Sequence, residues 1–253
     1  MKNIRIIPRL DIKGPNVIKG VHTEGLRIVG DPKKLAAEYY QQGADEIIYM
    51  DIVASLYQRN LDFDQLKSVS DNIFIPFTVG GGIRSINDIN NALRSGADKV
   101  AINTYAVKNP EFLSEAAKKF GAQCIVLSVE AKKIAENKWE AYTDGGRERT
   151  GLDAVSWIKK GIELGVGEIL ITSIDQDGTY NGYDMDLIKA VTDFAPIPVI
   201  VHGGAGSPET ILEAIKDGKA DAISASSIFH FNKISIADLK NALNKENIKV
   251  RLA

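Results

Sequence analysis

Asp11 and Glu130 are the two carboxylates best placed to do chemistry, because each closes an apolar run at a similar point in the chain. Asp11 ends Arg5-Ile6-Ile7-Pro8-Arg9-Leu10-Asp11, and Glu130 ends Cys124-Ile125-Val126-Leu127-Ser128-Val129-Glu130. Every second side chain of a strand faces the same way, so Arg5, Ile7, Arg9 and Asp11 share one face, as do Val126, Ser128 and Glu130. If both strands line one cylinder, the carboxylates look at each other across its mouth, an arrangement suited to a general acid and a general base. The plainer reading is that both are strand-end carboxylates paired with Arg9 or Lys19. Both readings stand at this level.

A second signal flanks the first. The stretch Pro76-Phe77-Thr78-Val79-Gly80-Gly81-Gly82-Ile83-Arg84-Ser85 is written again as Pro198-Val199-Ile200-Val201-His202-Gly203-Gly204-Ala205-Gly206-Ser207. Each copy is a short apolar strand running into glycines and then into a serine able to cap a helix, the order needed where backbone amides approach an anion closely. A tight turn alone also uses such glycines; the duplication favours two phosphate cradles, one at Gly81 and Gly82 and one at Gly203 and Gly204. Asn103 and Thr104 end the strand after the first copy, Ser226 and Ser227 the strand after the second, and their short polar side chains can complete the cradles. Asp177 and Gly178, in a turn after the sixth strand, together with Thr172 and Lys19, are the remaining candidate substrate contacts.

These residues need a scaffold that brings distant strand ends together. Apolar runs rich in Ile and Val alternate with segments of helical periodicity, and strands are predicted near 4–11, 45–51, 74–79, 98–103, 123–130, 167–172, 197–202 and 220–225. Asp31-Pro32, Asn109-Pro110-Glu111 and Ser207-Pro208-Glu209 read as helix starts, a capping side chain followed by proline. Eight strand-helix pairs favour a single (β/α)8 TIM barrel over residues 1–253, an α/β domain of the usual size, about 250 residues. The repeats divide it into two similar half-barrels, about 1–120 and 121–253. Two stretches are longer than a turn needs, 13–30 and 131–150, at the equivalent place in each half and on the C-terminal face where barrels keep their active sites. At the opposite end Arg5, Glu46, Lys99 and Glu168 face inward by parity, so the floor is either a salt-bridged plug or a gate.

Composition narrows the function classes. With 31 Lys+Arg against 33 Asp+Glu and a net charge of -2, there is no basic excess to bind nucleic acid or an acidic membrane. One cysteine, Cys124, read as a buried strand residue, forms no internal disulfide, and no apolar run reaches a membrane span, so a cytoplasmic protein is expected. Three histidines without carboxylate or cysteine at ligand spacing argue against a metal site, and no cofactor is expected.

With these residues in view, the sequence resembles the cyclase subunits of imidazole glycerol phosphate synthase over essentially its whole length. The most specific pieces are Arg5-Ile6-Ile7-Pro8 with Leu10-Asp11, Val17-Ile18-Lys19-Gly20, Thr78 to Arg84, Gly96-Ala97-Asp98-Lys99-Val100, Gly145-Gly146-Arg147 with Thr150-Gly151, Gly167-Glu168-Ile169-Leu170 and Ile228-Phe229-His230-Phe231. The resemblance implies that ammonia from a glutaminase subunit docked on the N-terminal face passes up the barrel to a ribulosyl bis-phosphate. That substrate is then cyclised and cleaved to imidazole glycerol phosphate and an aminoimidazole carboxamide ribotide in histidine biosynthesis. It implies Asp11 and Glu130 as acid and base, and Arg5, Glu46, Lys99 and Glu168 as an ammonia gate. Three positions depart from the family pattern: Glu130 replaces aspartate, Arg9 a small or apolar residue, and His202 a serine. These departures leave two other readings: a paralogue that carries ammonia to a sugar acceptor in surface polysaccharide synthesis, and a non-catalytic activator of a glutaminase.

Overall fold

A computed structural model of the chain describes residues 3–252; Met1, Lys2 and Ala253 of the expected domain lie outside the described residues. The strands are β1 (Arg5–Lys13), β2 (Asn16–Val21), β3 (Glu24–Gly30), β4 (Ile47–Asp51), β5 (Phe77–Gly80), β6 (Lys99–Ile102), β7 (Ile125–Ala135), β8 (Lys138–Thr143), β9 (Glu148–Asp153), β10 (Glu168–Ser173), β11 (Val199–His202) and β12 (Ala222–Ala225). The helices are α1 (Pro32–Gln41), α2 (Phe63–Ser70), α3 (Ile86–Arg94), α4 (Thr104–Lys108), α5 (Glu111–Phe120), α6 (Ala154–Glu163), α7 (Met185–Thr192), α8 (Pro208–Lys216), α9 (Ser227–His230) and α10 (Ile236–Lys245).

Parallel pairing runs β1-β4-β5-β6-β7-β10-β11-β12 and returns to β1, which closes an eight-stranded barrel with helices between its strands. The alternation read from sequence sorts the side chains. One set (Ile7, Ile48, Ala101, Val126, Leu170, Ile200, Ala222) fills the lumen, and the other packs outward against the helices in a larger cluster. Helix starts follow their capping signals at Asp31, Ser85 and Ser207, and Ser207 forms a reciprocal box with Thr210. Asn109 is different: it makes no cap, and α5 begins after Pro110. Cys124 also lies outside the strand expected for it, ending a short 3-10 turn before β7.

The long stretches after β1 and β7 are antiparallel hairpins, β2–β3 and β8–β9, each extending its barrel strand above the rim. The sequence alone predicts loops there. Among the described residues no helix is long and apolar enough to cross a membrane.

Candidate active site

β1 carries Arg5, Arg9 and Asp11 up the lumen, and registers Arg9 beside Ile48 and Asp11 beside Met50 of β4. Across the mouth, Glu130 of β7 pairs in register with Thr172 of β10, and Thr172 with His202 of β11. Asp11 and Glu130 are both buried and both line one small cavity with Arg9, Lys19, Thr172 and Asp177. The strand parity and the cross-mouth placement agree.

Their electrostatics differ sharply. Burial disfavours the charged form of Asp11, but Arg9 and Lys19 more than offset it and hold this carboxyl below its usual range. Arg9 Nε donates to Asp11 Oδ1 at 2.7 Å, and Lys19 Nζ to Asp11 Oδ2 at 3.1 Å. Glu130 is pushed up to about 7, because burial outweighs the attraction of Arg9 and the bond from Gly146. Its Oε2 accepts from the Gly146 amide at 2.8 Å and from Asn103 Nδ2 at 3.0 Å. Near neutrality one carboxyl is an anion and the other holds a proton for much of the time, the separation an acid and base pair needs.

The two glycine turns flank this pair but are not alike. Gly81 and Gly82 have φ of 98° and 67°, and Gly203 and Gly204 have 95° and 107°, the left-handed region that only glycine enters freely. A β-carbon on Gly81 would strike the Asp51 carbonyl, and one on Gly204 the Gly182 carbonyl. The first turn opens onto a cavity of about 330 Å³ that also contains Asn103, Thr104, Ser128 and Glu130. The second, with Asp177, Gly178, His202, Ser226 and Ser227, encloses about 10 Å³, room for one water-sized group. One of its walls, Asp177, is tied to the β2–β3 hairpin. Lys19 Nζ holds both Asp177 oxygens at 2.8 Å, and the His22 amide donates to the Asp177 carbonyl at 2.8 Å.

Several side chains expected to face a ligand also make hydrogen bonds within the protein. Asn103 Nδ2 donates to Glu130 and to the Tyr142 carbonyl, and Thr104 Oγ1 accepts from the Asp144 amide. Ser226 Oγ donates to the Arg9 carbonyl, and Thr172 Oγ1 accepts from Arg9 Nη1 at 3.1 Å. Sequence reasoning missed Gly146 as an anchor of Glu130, since a backbone amide leaves no side-chain signature; Lys19, offered by sequence as a partner of the carboxylates, does pair with Asp11 and also reaches Asp177, which sequence did not give.

At the floor the four expected charges form a closed ring. Arg5 Nη1 meets Glu46 at 2.6 Å, Arg5 also pairs with Glu168, and Lys99 Nζ reaches Glu46 at 2.8 Å and Glu168 at 2.7 Å. Thr78 Oγ1, a partner that parity alone did not single out, donates to Glu46 Oε1 at 2.6 Å. Among the described residues no group of three or more His, Cys, Asp or Glu is placed to hold a metal ion.

The fold and the site together define the class of (β/α)8-barrel enzymes that keep their reactive groups at the C-terminal rim. Within that class, residues 5–235 match the family model described as histidine biosynthesis protein. The chain is 58% identical over 209 residues to the imidazole glycerol phosphate synthase subunit HisF of Legionella pneumophila, covering 83% of this chain and 99% of that relative. It is 50% identical to the HisF subunit of Lachnoclostridium phytofermentans over 100% of this chain and 98% of the relative, and 47% identical to that of Streptococcus mutans over 98% of each. The chain belongs to the HisF family, the cyclase subunits of imidazole glycerol phosphate synthase in histidine biosynthesis.

Proposed function

We propose that this chain converts a ribulosyl bis-phosphate and ammonia into imidazole glycerol phosphate and an aminoimidazole carboxamide ribotide at the rim, with Asp11 and Glu130 as base and acid. The observation that carries this reading is the pair itself: two buried carboxyls of opposite proton affinity, between two glycine-lined concavities. Ammonia adds to the ketone carbon, water leaves, the imidazole ring closes, and the ribotide amine departs. Glu130 supplies a proton to a leaving group, and Asp11 takes one from the incoming nitrogen. Gly81, Gly82, Asn103 and Thr104 hold one phosphate; Gly178, Gly203, Gly204, Ser226 and Ser227 hold the other, mostly through backbone amides. The second cradle has to widen to accept it, so the Lys19–Asp177 latch opens as substrate enters, and Lys19 and Asp177 become substrate contacts alongside Thr172. Turnover of the bis-phosphate with ammonium salts alone tests the reading. Glutaminase activation without turnover would identify the activator, and inertness toward this substrate the paralogue.

The floor ring is the entry for ammonia, and a glutaminase subunit docks beneath it in a cytoplasmic complex. Phe74 supports this placement. It is 81% exposed just before β5, packs edge-on against Tyr40, and borders a cavity of about 390 Å³ with Ile75, Pro76 and Asp98. The domain reading, one barrel of two half-barrels, is supported by the equivalent hairpins after β1 and β7.

Lys99→Ala tests the gate. Removing this ammonium leaves Glu46 and Glu168 bridged by Arg5 alone, in a ring that must open in register with the glutaminase. Glutamine-dependent turnover is expected to fall about tenfold, within the usual range for coupling between sites, while ammonium-dependent turnover is retained. Equal losses in the two assays would make the ring a structural plug.

A further inference from the structure

His202 is a buried side chain to which the reaction described above gives no task. His202 ends β11 and is 3% exposed. Its Nδ1 lies 3.1 Å from Ser224 Oγ; with that hydroxyl donating, the ring proton sits on Nε2. Nε2 is buried and makes no hydrogen bond. Asp177 Oδ1 lies 3.4 Å from it, and Lys19 already holds both oxygens of that carboxylate. Burial, and then the charge of Arg9, keeps the His202 pKa below its ordinary value, so the ring is a neutral donor. An unmade buried N–H is a cost the fold carries until an acceptor arrives. The ring borders the concavity of Gly178, Gly203, Gly204 and Ser227.

We propose that His202 is a binding residue of the second cradle, its Nε2–H donating to an oxygen of the phosphate held there. This rests on the reading of that concavity as a phosphate site, and it adds a side-chain donor to a cradle otherwise built from amides and hydroxyls. A donor fixed by Ser224 on a rigid strand also sets how deep the phosphate sits, and so where the ribulosyl carbon lies relative to Asp11.

The test uses the full chain, the bis-phosphate substrate and ammonium chloride, with kcat and KM measured for wild type, His202→Leu, His202→Gln and Ser227→Asp. Losing one hydrogen bond to a charged group raises KM by about tenfold to a hundredfold in His202→Leu, with kcat little changed. His202→Gln, which restores an N–H donor, recovers most of the loss. Ser227→Asp places a negative charge in the concavity and raises KM strongly. Should leucine perturb folding, as melting curves would show, His202→Asn, too short to reach, replaces it. A KM unchanged in His202→Leu but raised in Ser227→Asp overturns the role of His202 and keeps the cradle. Unchanged KM in both overturns the cradle and the proposal with it. Equal KM increases in the leucine and glutamine variants, or a fall confined to kcat, would assign His202 to packing and overturn the proposal.

Discussion

Asp11→Asn is expected to lower ammonium-dependent kcat by about 10²- to 10⁴-fold, the range for removing a positioned general base, while the barrel still folds. The substitution keeps shape and volume, so the lumen is neither opened nor overpacked. What changes is charge. Arg9 Nε and Lys19 Nζ, at 2.7 and 3.1 Å, then face a neutral amide that cannot take a proton. Lys19 keeps its partner Asp177, and Arg9 keeps Thr172, which limits the structural damage. The measurement is a steady-state assay with ammonium chloride, paired with a thermal melt. Wild-type turnover would remove Asp11 from the mechanism, and loss of the folded state would make its pairing with Arg9 the larger effect.

The barrel was legible because its cause is local: each strand carries its own period of two, and eight such runs with capped helices between them leave few alternatives. The inward set followed from the same parity, which placed Asp11, Glu130 and the four floor charges correctly without any knowledge of contacts. The hairpins were not legible. The β2–β3 turn is His22-Thr23, both at positive φ (51° and 64°), a conformation normally advertised by Asn-Gly or Gly-Gly. Neither residue type sends that signal, so the flanking alternation looked like loop. The walls of the second cradle were equally hidden. Asp177 is held there by Lys19, a contact spanning more than half the chain, and the Gly20 carbonyl lies against Gly178. Such contacts exist only once the barrel has closed.

Glu130→Gln is expected to cost about 10²- to 10⁴-fold in kcat, as for any positioned acid, and the neighbouring substitution Glu130→Asp separates chemistry from fit. Glu130 is one methylene longer than the aspartate of the family pattern. In the structure Oε2 is held by two donors, Gly146 N at 2.8 Å and Asn103 Nδ2 at 3.0 Å, so the site is shaped to glutamate's length. Shortening the arm draws the acid away from both by about 1 Å, and a displacement of that size costs on the order of 10²-fold. A rise in turnover for Glu130→Asp would mean that the observed anchors do not set the reactive position. The pH profile gives the sharper check. Burial pushes Glu130 up to about 7, whereas Asp11 is held low. As pH rises through about 7 the acid loses its proton, so at fixed free ammonia the wild-type rate falls on the alkaline side. Asp11 stays ionised throughout and adds no limb there. Glutamine cannot titrate, so Glu130→Gln should leave a flat, slow profile; an alkaline limb that persists in this variant would assign the titrating proton to another group.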